Sequence, residues 1–144
     1  MRQLQHPQEN SLLNSGSYAF HKENTLPQKG WVWVFGSNLA GRHGLGAAKV
    51  AHVNFGAPYG AHSGAMGQAY AIPTKDKSLR TLPIEIIKER IDTFMEDAHG
   101  NPKKRYFVTR VGCGLAGYTD AEIAPLFKGS PANCSFSEGW KDYL

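Results

Sequence analysis

The stretch Trp31 to Ala48, WVWVFGSNLAGRHGLGAA, constrains this chain more than any other. Its first five residues form an unbroken run of aromatic and β-branched side chains, which is the pattern of a strand covered on both faces. Gly36 ends the run, Ser37 and Asn38 make a polar turn, and Gly44, Leu45, Gly46 and Ala47 open a helix of small residues. A strand with both faces covered needs helices on both sides, so the stretch predicts an α/β domain with parallel crossovers. A second junction of the same kind spans Tyr106 to Phe127, YFVTRVGCGLAGYTDAEIAPLF.

The rest of the chain fits around these two junctions. Residues Met1 to Gly30 show no period and read as an N-terminal arm, with a short strand around Ser17 to Phe20, leaving 31–144 as the domain. Ala57 to Gln68 is broken by glycine and proline and reads as a mobile loop, and Ala69 to Ile72 as a short strand stopped at Pro73. Ile84, Ile87, Ile91, Phe94, Met95 and Ala98 share one helical face, with Pro83 at the first helical position and Gly100 at the stop. Tyr106 to Val111 reads as a strand. Thr119 and Glu122 have the spacing of a capping box, and Pro125 should keep the helix that follows short. Asn133 to Phe136 reads as a last strand. With right-handed crossovers, this order predicts a three-layer α/β/α sandwich on a mostly parallel sheet.

Size and composition narrow the function. At 144 residues the chain is one domain with one core. No run approaches the roughly 20 apolar residues of a membrane span, and MRQLQHPQEN lacks a signal-peptide core, so the reading is a cytoplasmic protein without a membrane partner. Cys113 and Cys134 are the only cysteines. Neither sits in a metal-type pairing, so both read as free thiols and no metal or cofactor is expected. The net charge of +4 favours anionic partners. The cations are scattered along the chain, however, and a charge run as short as Lys103 to Arg105 is ordinarily a solvated loop end, which argues against nucleic acid.

Strands that end in glycine and open a helix present unpaired backbone N–H groups and the positive end of a helix dipole. In open α/β sheets such junctions meet in a crevice at the strands' C-terminal ends. The candidate ligand-binding set is therefore Gly36, Ser37, Asn38, Gly44, Leu45, Gly46 and Ala47 on one side. Gly112, Cys113, Gly114, Leu115, Ala116, Gly117 and Tyr118 make up the other. Gly112 to Gly117 matches G-x-G-x-x-G, but a dinucleotide fold begins with that element and here only a short tail follows it. Asn38 could bond a sugar hydroxyl or fix its own turn. His43 is the candidate acid or base, against the commoner surface role. Cys113 stands where a helix N-terminus lowers a thiol pKa, against a small buried side chain. Asp120 and Glu122 could act as an acid pair, although capping already explains Glu122.

Together, FGSNLAGRHGLGAA, QAYAIPTKD and VGCGLAGYTDAEIAPLF resemble the macro domain family of ADP-ribose binders, and more closely a bacterial and phage macro-like group. The resemblance covers about Trp31 to Phe127. It implies a crevice for ADP-ribose or a related nucleotide, with Asn38 on the ribose side. Gly44 to Ala47 would then form one diphosphate loop, and Gly114 to Tyr118 the other. It also implies hydrolysis of ADP-ribosyl compounds, an ADP-ribosylated protein as a further partner, and catalytic roles for Asn38 and, as a substitute, His43. The sequence departs from hydrolytic relatives at Leu45, where they carry Asp, and at Ala116, where an aromatic is usual. No acidic residue for adenine stands in the first strand. Two rival functions remain: a non-enzymatic module that sequesters or senses a nucleotide, and a nucleic-acid-binding accessory.

Overall fold

The computed structural model describes residues 18–144. The readings placed on residues 1–17, including the start of the Ser17 strand, lie outside them. Six strands form one sheet in the order β1-β6-β5-β2-β4-β3. They are β1 (Ala19–His21), β2 (Val32–Asn38), β3 (Gly64–Met66), β4 (Ala69–Lys75), β5 (Tyr106–Val108) and β6 (Cys134–Ser137). Every pairing is parallel except that of β3 with β4. Helix α1 (Gly46–Asn54) covers one face of the sheet. Helix α2 (Ile84–His99), the short α3 (Asp120–Ile123) and the 3-10 turn Ala124–Phe127 cover the other, and a second 3-10 segment, Glu138–Tyr143, closes the described chain.

The apolar run of β2 divides between two cores because successive side chains on a strand point to opposite faces. Trp31, Trp33 and Phe35 pack with Ala51, Ala69, Ala71 and Phe107 under α1. Val32 and Val34 pack with Tyr70, Ile72, Ile87, Ile91 and Phe94 under α2. Alanines at 51, 57, 69 and 71, each at most 1% exposed, let α1 lie close to the sheet while the three aromatic rings fill the remaining space.

Several boundaries differ from the sequence reading. β4 runs through Pro73 to Lys75. The proline is tolerated because alternation turns position 73 away from β2, and on that side β3 has already ended at the Gly64–Ala71 pair. Part of the stretch read as a mobile loop is the antiparallel edge strand β3. Pro83 is the N-cap of α2 rather than its first helical residue. β5 stops at Val108: the Thr109 N–H makes the last ladder bond, to the Val34 carbonyl, and the Val111 N–H then bonds the Thr109 carbonyl and turns the chain. The short strand expected around Ser17 to Phe20 in the N-terminal arm is β1 at Ala19–His21, and it joins the sheet edge by pairing with β6.

Candidate functional site

The C-terminal ends of β2, β4 and β5 open into one cleft of about 720 Å³, within the size range of small-molecule sites. Gly36, Ser37, Asn38, Leu45, Gly46 and Ala47 line it from the first junction, and Gly112, Cys113, Gly114, Leu115 and Ala116 from the second. His43, Gly44, Gly117 and Tyr118 do not line it.

The first loop is built by local bonds. The Asn38 amide closes on Arg42, donating to its carbonyl at 2.9 Å and accepting from its N–H at 3.0 Å, so its amide is engaged in making the turn. The Ser37 hydroxyl donates to the His62 carbonyl. At the N-cap of α1, Leu45 supplies no side-chain cap. Gly46 follows in the left-handed region at φ +59. The first-turn N–H groups of Gly46, Ala47 and Ala48 are therefore left for an occupant of the cleft.

His43 is fully buried. Its ring bonds the Pro58 carbonyl at 2.9 Å and lies between Phe35 and Tyr59, so it supports the loop from behind. Proton exchange with a cleft-bound ligand would need it to leave that position.

The second loop folds back on itself, with the N–H groups of Gly117 and Tyr118 donating to the carbonyls of Gly114 and Gly112. Tyr118 turns outward to bond the Leu82 carbonyl at 2.6 Å. Gly112 needs its left-handed φ of +77, and a Cβ there would sit 3.2 Å from the Ile123 side chain. Gly114 has no such conflict: a Cβ there would meet nothing within 4 Å. The Cys113 thiol is pushed up to about 12, first by desolvation and then by the Asp120 carboxylate, which fits the reading of a small buried side chain rather than that of a lowered thiol. Cys113 is therefore a protonated, unreactive side chain near neutral pH.

The capping box of α3 is present in both directions, so Glu122 is structural. Asp120 is structural as well. It takes two bonds of 2.8 Å from Arg110 and one of 2.6 Å from the Trp140 indole. Arg110, more than any other partner, holds this carboxyl below the usual range. A depressed folded pKa contributes stability that is present above the unfolded value, near 4, and lost as the pH falls through the folded value. The stability gap between the native protein and Asp120→Asn is therefore expected to be full at pH 6 to 7 and to shrink below about pH 4. Denaturant melts across that range check this, and a gap that widens on acidification would refute it.

Sequence reasoning missed the third wall of the cleft, made by His21 and Lys22 to Leu26. No signal marks this wall, because a three-residue strand carries too little periodicity to place the turn after it. His21 stacks on Phe107 at 3.6 Å and bonds Ser135. Burial takes its pKa down to about 3, so it stays neutral. The Glu23 carboxylate accepts from Ser137 and lies 3.7 Å from Arg110. Among the described residues it is the one carboxylate lining the cleft, while Lys22, Lys75 and Arg110 line it as cations. No group of three or more His, Cys, Asp or Glu among the described residues could hold a metal, and no described helix is long and apolar enough to cross a membrane.

Layer order, mostly parallel sheet and C-terminal cleft define a macro-like α/β fold. Neither protein-family models nor curated proteins match the chain, but solved structures do. Thermosipho africanus DarTG in complex with ADP-ribose superposes with a TM-score of 0.53 at 17% identity, over 76% of this chain and 38% of that one. The chain thus spans well under half of DarTG. A protein of unknown function from Bacteroides thetaiotaomicron superposes with a TM-score of 0.53 at 15% identity, over 86% of this chain and 99% of that one. At these identities the likeness is one of fold.

Proposed function

We propose that the chain binds an ADP-ribose-type nucleotide diphosphate in this cleft and holds it without turnover. The observation that carries the reading is the convergence of two glycine turns, from β2 and β5, on a single cleft into which the uncapped N-terminus of α1 opens. Backbone N–H groups of Gly46 to Ala48 and of Gly114 to Ala116 would take the diphosphate oxygens, and Lys75 would add a cation. The similarity to a structure solved with ADP-ribose supports the choice of nucleotide.

Binding without hydrolysis is favoured by the site's acid–base inventory. Asn38 is spent on its turn, His43 is buried behind the loop, the position before Gly46 carries Leu45, which offers no proton-transfer group, and Glu23, the one carboxylate lining the cleft among the described residues, is engaged by Ser137 and Arg110.

Gly114→Val tests the reading. A branched side chain there meets no protein atom at its Cβ, so the fold should survive while the chain's approach to the ligand is blocked. Calorimetry should show ADP-ribose bound more tightly than AMP by the native protein and at least tenfold more weakly by the variant, a loss of about 1.4 kcal/mol or more. Unchanged affinity in a folded variant would sink the proposal. Release of ADP-ribose from a modified protein would overturn the absence of turnover.

A further inference from the structure

The end of the sheet opposite the cleft gathers cations that are far apart in sequence. Lys103, Lys104 and Arg105 form the turn into β5, and Arg105 passes its carbonyl to the N–H of Val32 at the start of β2. Lys29 stands just ahead of that strand, in the turn closed by the bond from the Trp31 N–H to the Gln28 carbonyl. On the α2 side, Lys128 precedes Gly129, whose carbonyl bonds His99 in the last turn of α2. Asn133 ties the two regions together, its side-chain amide donating to the carbonyls of Ala98, Asn101 and Lys104. The five cations come from three separate segments, and parallel topology brings the N-terminal ends of β2, β5 and β6 to one pole.

All five side chains are exposed. Among the described residues the ion pairs are Lys88 with Asp92 and Arg110 with Glu23 and Asp120, so none of the five is paired. Of the two acids in the last turn of α2, Asp97 accepts from the Tyr70 hydroxyl and Glu96 is exposed. A cluster of like charges is unfavourable in the free protein and becomes favourable against a polyanion.

We infer that this pole binds the phosphate backbone of nucleic acid without regard to sequence, while the cleft at the opposite end remains free. An acidic protein is the weaker candidate. The segments carrying the five cations expose no large apolar side chain, and stable protein interfaces need an apolar core. Backbone phosphates need only the cations, which supply essentially all of non-specific nucleic-acid affinity. The scatter of basic residues along the chain argued against such a partner, and the fold removes that argument.

The test is fluorescence anisotropy of a labelled DNA duplex of arbitrary sequence with the full chain. Five phosphate contacts predict that log affinity falls against log salt with a slope of about −4 to −5. The triple variant K103E/K104E/R105E should bind more weakly and lose about three units of that slope. K29E/K128E, from the other two segments, should lose about two. Both variants should keep native melting temperatures and native binding at the cleft, and Gly114→Val should keep native duplex binding. No duplex binding at low salt, or equal affinity in both charge-reversal variants and the native chain, would overturn the proposal. Equal affinity for a polyglutamate peptide of matched charge would also overturn it, in favour of an acidic protein. None of these outcomes depends on whether the cleft takes ADP-ribose.

Discussion

Replacing Trp140 by alanine is expected to destabilise the protein by about 3–5 kcal/mol, the largest loss foreseen for a single side chain here. The indole is fully buried, 5.4 Å from the Phe127 ring and 6.1 Å from Phe136. Its N–H donates to Asp120 at 2.6 Å. Alanine would leave a cavity between the last 3-10 segment and the α2 face of the sheet, because the close-packed Phe127 and Phe136 rings cannot move far enough to close it. Trp140→Phe separates packing from polarity. It keeps most of the ring contacts and removes only the donor, and Asp120 keeps its two bonds from Arg110. Its cost should be about 1–2 kcal/mol. Urea unfolding of the two variants checks this, and equal losses would mean that the hydrogen bond, not the packing, carries the effect.

The second large effect is expected at Gly41. A Cβ there would lie 2.6 Å from two backbone atoms of Gly60, and φ is +73. Gly41→Ala therefore combines a left-handed alanine, at roughly 1–2 kcal/mol, with an overpacked backbone contact, at roughly 1–3 kcal/mol. A total near 3 kcal/mol is expected. The same contact, closed by the bond from the Gly60 N–H to the Gly41 carbonyl at 2.9 Å, holds the first cleft loop against the Pro58–Gly60 turn. Ligand affinity should fall along with stability. Gly44→Ala is the control three residues on: its φ is not left-handed, its Cβ would meet only the Tyr59 hydroxyl at 4.0 Å, and it does not line the cleft. A comparable loss of melting temperature in both variants would show that the Gly41 contact is not the cause.

Contrasts between positions show why the site was only partly legible. The glycines of both junctions could be read because a strand that stops at glycine and restarts as a helix leaves a local mark in composition. Gly36, Gly46, Gly112 and Gly114 accordingly line the cleft, although Gly44 and Gly117 of the same junctions do not. Side-chain roles could not be read. Asn38 and His43 are residue types with several uses, and the choice among them depended on Arg42, Pro58 and Tyr59 lying within bonding or stacking distance. Of the two readings of Cys113, the buried side chain stands and the lowered thiol does not, because burial and Asp120, both products of the tertiary fold, outweigh the turn that precedes α3.

Local physics was enough to set the fold class. The period-2 division of Trp31 to Phe35, the amphipathic face of Ile84 to Ala98 and the Thr119–Glu122 capping box are each decided within a few residues, and each stands in the structure. What needed the tertiary structure is everything that depends on which distant segments become neighbours. β1 adds at the far edge beside β6 and brings Lys22 to Leu26 to the cleft. Lys29, Lys103 to Arg105 and Lys128 meet at the opposite pole. Strand order and register determine those meetings, and they are set by burial and backbone pairing summed over the whole sheet, a quantity that no short stretch of sequence contains.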